Sequence, residues 1–140
     1  MPPILHLSLP ARDLEATRRF YVDTLGCTVG RVRPGWLDVW FHGMQVTFHE
    51  EPGQVVPPSE AGVRHFGVTL SMAELDALVD RLDAVPVEWL RPVRTDGSGT
   101  AREQRKGKLA DPSGNVIEVK AYADPRAALE IPAGTLGPVA

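Results

Sequence analysis

One order of secondary-structure elements occurs twice in this sequence, and the two copies start 59 residues apart. His6 opens a strand-like run, "HLSLP", and His65 opens a similar run within "RHFGVTL". Both runs alternate apolar and polar residues, as half-buried β-strands do. A helical pattern and three short strands follow each of them. This repeat constrains the fold strongly, because each copy must bury one face of its own sheet.

The first copy has clear start and stop signals. Asp13 is placed to cap a helix over "DLEATRRFYVDTLG", and Gly26 is a suitable residue to end it. Three strands in hairpin spacing follow, namely "CTVGRVR", "WLDVWF" and "MQVTFHE". Turns at Pro34-Gly35 and His42-Gly43 separate these strands. The predicted order is therefore βαβββ.

The second copy repeats that order. Ser71 and Glu74 form a capping-box pattern before "MAELDALVDRLDA". The strand "VEWLRPVR" contains Pro92, which places it at a sheet edge. A polar loop from Thr95 to Arg105 leads to the short strand "KGKLA". The turn signal "DPSGN" then precedes the last strand, "VIEVKAY".

These patterns predict an α+β fold in which tandem βαβββ modules form a curved mixed sheet. We expect a single domain over residues 4–122, with modules at 4–50 and 63–122 and a Pro/Gly-rich linker at 51–62. Residues 123–140 form a C-terminal tail in which "PRAALE" favours a short helix.

Composition excludes several classes of partner. The net charge is −3 and no basic stripe is present, so we expect no nucleic acid. No apolar run approaches the roughly 20 residues of a transmembrane helix, so we expect no membrane. The N-terminus lacks a signal-peptide pattern, which makes the cytoplasm the expected location. The single cysteine, Cys27, rules out a disulfide within the chain.

Side-chain alternation places potential metal ligands on one face of four strands. A single histidine on a strand is usually an ordinary surface residue, but the shared position of several favours a site. His42, beside Gly43, is assigned to an exposed turn. Imidazole and carboxylate groups suit a divalent transition metal, with Fe²⁺ or Mn²⁺ preferred and Zn²⁺ or Ni²⁺ as alternatives. The four predicted ligands are His6, His49, His65 and Glu118.

Several motifs resemble those of the vicinal oxygen chelate superfamily over residues 4–122. They are "HLSLPARDLEATRRFYVDTLGC", "GMQVTFHE", "RHFGVTLSMAELDALVDRL" and "DPSGNVIEVKAY". That superfamily includes glyoxalase I, extradiol dioxygenases, fosfomycin-resistance enzymes and bleomycin-resistance proteins. The resemblance implies metal ligands on the first and last strands of each module, at the same four positions. His49 stands where glyoxalase-like members often have Glu, so it could instead act as a base beside a triad of His6, His65 and Glu118.

The resemblance implies a metal-dependent enzyme acting on a small substrate that chelates the metal through vicinal oxygens. An extradiol dioxygenase-like oxidoreductase is the leading expectation. The alternatives are a glyoxalase I-like lyase or isomerase and a metal-free antibiotic-binding protein. Glu118 and His49 are the predicted catalytic residues, and Gly67 is expected to leave room for the substrate. The predicted substrate-binding residues are Ser8, Thr47, Thr69, Lys120 and Arg102, the last from the loop over the site.

We also expect a homodimer. Two arrangements of the ligands remain open at this point. The two modules of one chain could face each other, or His6 and His49 of one chain could meet His65 and Glu118 of another.

Overall fold

A computed structural model describes residues 1–130 and 132. The first βαβββ unit forms the N-terminal part of the chain. We call this unit the first module. Two of its strands, β3 and β4, have the predicted bounds. Its elements are β1 (His6–Ala11), α1 (Leu14–Arg18) with a π-helical continuation (Arg19–Thr24), β2 (Thr28–Arg33), β3 (Trp36–Phe41) and β4 (Met44–Glu50).

The second module repeats this order after a connection that contains two 3₁₀ turns, Pro52–Gln54 and Pro58–Glu60. The predicted α+β class with tandem βαβββ modules is therefore confirmed. The elements are β5 (Phe66–Leu70), α2 (Met72–Asp83), β6 (Glu88–Asp96), β7 (Gln104–Ala110) and β8 (Val116–Tyr122), followed by α3 (Pro125–Leu129).

The eight strands form two mixed sheets of four, in the orders β1-β4-β3-β2 and β5-β8-β7-β6. The β1–β4 and β5–β8 pairs are parallel, and the remaining pairs are antiparallel. Strand β6 lies at a sheet edge, as Pro92 predicts, and its pairing with β7 is irregular on both sides of that residue. Strands β1 and β5 are also edges, so each has one side without a strand partner among the described residues.

Both predicted helix caps are present. The Asp13 carboxylate accepts a hydrogen bond from the Ala16 N–H at 2.7 Å. Ser71 and Glu74 form the reciprocal capping box that begins α2. No helix within residues 1–130 is long and apolar enough to cross a membrane.

Three predicted segments differ in detail from the structure. The first helix becomes π-helical after Arg18, and both neighbouring rings, Phe20 and Tyr21, are buried there. The predicted loop from Thr95 to Arg105 is too long, because Asp96 pairs with Gln104 and extends the β6–β7 hairpin. The strand predicted to include His65 begins at Phe66, so His65 lies directly before it. The predicted tail helix is present as α3, and residues 131 and 133–140 lie outside the described part of the chain.

A single hydrophobic core joins the two modules. Leu75 and Leu82 of α2 are buried in it, and Leu78 and Val79 pack against it, as the apolar stripe predicts. The sheets contribute only one set of alternating side chains each, which leaves their polar faces outside this core. The buried members are Ala11, Phe20, Tyr21, Leu37, Val39, Phe41, Val46, Phe48, Leu70, Leu75, Leu82, Leu109, Ile117, Val119 and Ala121.

A buried polar cluster fixes how the modules meet. The Tyr21 hydroxyl, in the first module, donates to Asp111 at 2.8 Å in the second. Asp111 also accepts from the Ser113 N–H and from the backbone and side chain of Asn115. Burial raises the pKa of Asp111 above its usual range despite these bonds. The cluster thus ties the π-helical turn to the "DPSGN" turn.

Replacing Tyr21 with Phe should destabilise the fold by about 2 kcal/mol, because it removes a buried hydrogen bond to a carboxylate. Urea unfolding at neutral pH measures the change. Tyr122→Phe is the matched control, since the Tyr122 hydroxyl forms no hydrogen bond within the described residues, and it should stay close to the parent protein. Equal stabilities for the two variants would show that the Tyr21–Asp111 bond does not hold the modules together.

Candidate metal and substrate site

The polar face of the first module carries a pocket of about 250 Å³. We call this group of residues the first half-site. Ser8 lies two residues after His6 on β1, and its hydroxyl is 3.2 Å from His6 Nε2. Thr47 is buried, and its hydroxyl donates to Asp38 at 2.7 Å. The lining residues are His6, Ser8, Arg31, Trp36, Thr47 and His49.

The polar face of the second module carries a pocket of about 200 Å³. We call its polar-face residues, His65, Gly67, Thr69, Glu118 and Lys120, the second half-site. His65 Nε2 lies 3.8 Å from a Glu118 carboxylate oxygen. The other ring nitrogen, Nδ1, is 2.8 Å from the Val63 carbonyl. A carbonyl can only accept, so Nδ1 carries a proton, and Nε2 is the ring nitrogen that lies beside Glu118.

Three lysines line the same face as Glu118. Lys108 lies opposite Glu118 across the β7–β8 ladder, and its Nζ is 3.9 Å from the carboxylate. Lys120 follows Glu118 by two residues on β8, and its Nζ is 3.6 Å from the same carboxylate. Lys106 is paired in register with Lys120 and lies 3.7 Å from Asp96. Glu118 is therefore an acceptor surrounded by cationic groups, with only 15% of its side chain exposed.

Strand register distinguishes His49 from the other predicted ligands. His6 lies opposite Gln45, so His49 is four residues farther along β4. At roughly 3.3 Å per residue this is an offset of about 13 Å. Glu118, in contrast, lies opposite Gly67, only two residues past His65. The first-module residue equivalent to Glu118 is Thr47, opposite Ser8.

Gly67 allows two strands to approach closely, which no pattern within one strand indicates. A Cβ atom at this position would lie 1.9 Å from the Glu118 carbonyl oxygen. The backbone of β8 thus fills the place of a Gly67 side chain, while Gly67 still lines the pocket of the second half-site. Gly67 permits the close approach of β5 to the strand that carries Glu118.

The two half-sites have no lining residue in common. Within the described residues, no group of three or more His, Cys, Asp or Glu side chains could hold a metal ion. One chain therefore brings the predicted residues together as two separate groups. Arg102 lines neither pocket; it forms an ion pair with Glu130 at 3.0 Å and is 74% exposed.

Comparison with known proteins assigns the family. The sequence profile of the Glyoxalase/Bleomycin resistance protein/Dioxygenase superfamily matches residues 3–119. The chain belongs to this superfamily. A protein of the same superfamily from Alicyclobacillus acidocaldarius is 30% identical, with a TM-score of 0.79 over 89% of this chain and 95% of that one. No curated protein matches the sequence.

Two further crystal structures share the fold at lower identity. The fosfomycin resistance protein FosX from Listeria monocytogenes is 18% identical, with a TM-score of 0.69 over 86% of this chain and 93% of that one. A mutant of the Listeria protein, complexed with Mn(II) and 1S,2S-dihydroxypropylphosphonic acid, gives the same identity and TM-score over 93% and 97%. At this identity the likeness concerns the fold.

Two lining residues of the first half-site, Arg31 and Trp36, and the buried Asp38 that contacts Arg31 were not among the predicted site residues. A signal for two of them was available, because alternation in "WLDVWF" places Trp36 and Asp38 on the face opposite Leu37 and Val39. Arg31 had no such signal. Its orientation depends on an irregularity in the pairing of β2 with β3.

Replacing Gly67 with Ala should destabilise the protein by at least about 2 kcal/mol, since the new methyl group forces β5 away from β8. Gly53→Ala is the control, because a Cβ there meets no atom within 4 Å. Chemical denaturation of both variants measures the difference. A Gly67→Ala protein as stable as the Gly53→Ala protein would contradict the close approach of these strands.

Proposed function

We propose that this protein is a divalent-metal-dependent enzyme whose active site forms between two copies of the chain. His6 of one copy, together with His65 and Glu118 of the other, would hold the metal. The observation that carries this proposal is the arrangement of His65, whose Nδ1 is engaged by the Val63 carbonyl while Nε2 faces Glu118. Metal-binding histidines typically have their second nitrogen fixed in this way.

The chemistry of the donor set fits a divalent transition metal. Two imidazoles and one carboxylate with open positions are the pattern of non-haem Fe²⁺ oxygenases, and the carboxylate also admits Mn²⁺. Zn²⁺ and Ni²⁺ remain alternatives. The Mn(II) in the Listeria structure supports a divalent metal on this fold, and the molecule bound with it has hydroxyls on adjacent carbons.

Exposed apolar residues beside the ligands support the pairing of two chains. Leu5, next to His6, is 72% exposed, and Val63, two residues before His65, is 91% exposed. Leu5 directly precedes β1 and Val63 lies three residues before β5, and each of these strands has an outer edge with no strand partner among the described residues. Apolar side chains at an open sheet edge favour association, which would cover them. A second copy would thus bury these edges and join unlike half-sites.

We assign His49 the role of a general base rather than a ligand. Its offset of about 13 Å from His6 along the sheet is too large for both imidazoles to bind one ion. It still lines the first half-site and is exposed, so it could take a proton from a substrate held there. Ser8, Thr69 and Lys120 line the two half-sites and are proposed to contact the substrate.

The proposed substrate is a small molecule with two vicinal oxygens. When bound, the metal would act as a Lewis acid and stabilise negative charge on these oxygens. Extradiol ring cleavage is the oxidoreductase form of this proposal, and the comparisons give it no specific support. Oxygen consumption with catechols separates it from lyase or isomerase chemistry, in which His49 would move the proton.

His65→Ala and Glu118→Ala should each lose most bound metal, because the loss of one of three protein ligands leaves the ion under-coordinated. His42→Ala is the control, since His42 lies on a turn outside both half-sites. Elemental analysis and the metal-induced shift in melting temperature measure the effect. Parent-like metal content in both ligand variants would refute the site. A parent protein that binds no metal would favour the metal-free binding protein instead.

A further inference from the structure

A β-bulge in β2 gives Arg31 its orientation. Val29 pairs with Val39 and Val32 pairs with Leu37, so Gly30 and Arg31 together lie opposite the single residue Asp38. Bulges of this kind re-aim a side chain. A Cβ at Gly30 would lie 3.1 Å from the Asp38 Cβ, which leaves little space for any other residue. The bulge turns the Arg31 side chain onto the face that carries His6 and His49.

The buried Asp38 carboxylate holds the Arg31 side chain by a hydrogen bond. The Asp38 side chain is 1% exposed although it lies on the polar face of the sheet. It accepts from Arg31 Nε at 2.5 Å and from the Thr47 hydroxyl at 2.7 Å. Burial alone would raise the pKa of Asp38, but the hydrogen bonds from Thr47 and Arg31 outweigh it and hold that pKa below its usual range. Asp38 is thus a buried, charged support.

The Arg31 guanidinium lies over the ring of Trp36. The Arg31 Cζ atom lies 5.0 Å from the centroid of the Trp36 ring, within the range of a cation–π contact. Among the described residues only the Nε donor of Arg31 has a hydrogen-bond acceptor, which leaves its two NH₂ groups for a ligand. The side chain is 57% exposed and lines the first half-site.

A surface ion pair does not by itself explain the bulge, the buried Asp38 and the Trp36 ring around Arg31. Exposed pairs contribute little to stability, and they need neither a bulge nor a buried partner. The bulge sets the backbone direction at Arg31, Asp38 holds its Nε, and the Trp36 ring packs against the plane of its guanidinium. These three contacts orient the two NH₂ groups of the guanidinium. A planar guanidinium held in this manner suits two-point binding of an oxyanion.

The second half-site adds positive charge of its own. Lys106 and Lys120 lie directly opposite each other on neighbouring strands, a like-charge pairing that is unfavourable by itself. With Lys108, three lysines face the two carboxylates Asp96 and Glu118. A divalent metal at Glu118 would increase the excess of positive charge. A substrate that carries a negative group would relieve it.

We propose that Arg31 binds an oxyanion of the substrate, so that the substrate class is a small acid bearing a carboxylate, phosphate or phosphonate besides its vicinal oxygens. This inference rests on the proposed function for the identity of the site. It makes Arg31 the specificity-determining residue of the first half-site. Lys120 of the second half-site, together with Lys106 and Lys108 on the neighbouring strand, supplies a positive field that favours the same anionic ligand.

Calorimetric titration of the metal-free protein with inorganic phosphate tests the inference, and acetate serves as a second probe for a carboxylate. Arg31→Gln keeps a side-chain donor for Asp38 and removes the charge. We expect it to weaken phosphate binding about tenfold or more, the range for a lost hydrogen bond to a charged group. Arg33→Gln is the matched control on the same strand, since Arg33 is exposed and, among the described residues, its side chain donates only to the Val32 carbonyl. It should stay within about twofold of the parent.

The inference fails if the parent protein binds neither phosphate nor acetate saturably, or if both Arg variants bind them equally. If Arg31→Gln has a lowered melting temperature, Arg31→Lys decides the question. It keeps the charge but loses the two-point geometry, so it should bind phosphate several-fold more weakly than the parent while remaining folded. Metal content is measured in parallel and should be unchanged in all Arg variants. A parent protein that binds no metal would refute the proposed function, whereas the phosphate titration would still decide whether Arg31 binds an oxyanion.

Discussion

The two modules bury the apolar faces of their sheets in one common core, and the remaining features of the structure depend on this constraint. The buried Tyr21–Asp111 hydrogen bond fixes the contact between them. Since the apolar faces are used inside the chain, the polar faces are left with the exposed or half-buried residues that carry the chemistry. Each polar face then holds only part of the proposed metal site. The proposal of a site shared between two chains thus follows from the same packing that stabilises one chain.

The duplicated modules have diverged in a complementary way. The second module provides a histidine and a carboxylate that meet side by side. In the first, the position equivalent to Glu118 is occupied by Thr47, whose hydroxyl is engaged by Asp38. Asp38 in turn accepts a hydrogen bond from Arg31, so the first module provides the proposed imidazole ligand, the proposed base and the proposed anion-binding arginine. Neither module repeats the other's polar residues, and the proposed site therefore combines one of each.

Much of the fold could be predicted from local patterns. Alternation fixed the bounds of β3, β4 and β8, and the capping residues Asp13 and Ser71 begin the helices as predicted. These features depend on neighbouring residues in the sequence. The polar-face histidines were also readable, because the alternation of each strand separates them from the core. The family resemblance added the expected pairing of modules.

The remaining features depend on contacts between distant segments. The offset of His49 follows from the β1–β4 register, and the reason for Gly67 is the backbone of a strand about fifty residues away in the sequence. The orientation of Arg31 requires a bulge that alternation cannot show. Whether the proposed metal site lies within one chain or between two depends on which sheet faces are buried in the core. No periodicity within a single strand contains that information.

The central claim is that each metal site takes ligands from two chains, and combining two variants that each lack one proposed ligand tests it most directly. His6→Ala and Glu118→Ala proteins are unfolded together, refolded and purified as a heterodimer by means of two different affinity tags. If the sites are shared, one site of the heterodimer carries both substitutions and the other is intact. The account predicts recovery of about half the parent metal content, one ion per heterodimer, where each homodimer binds almost none. A heterodimer as metal-free as the two homodimers would place all ligands of a site within one chain and contradict the account.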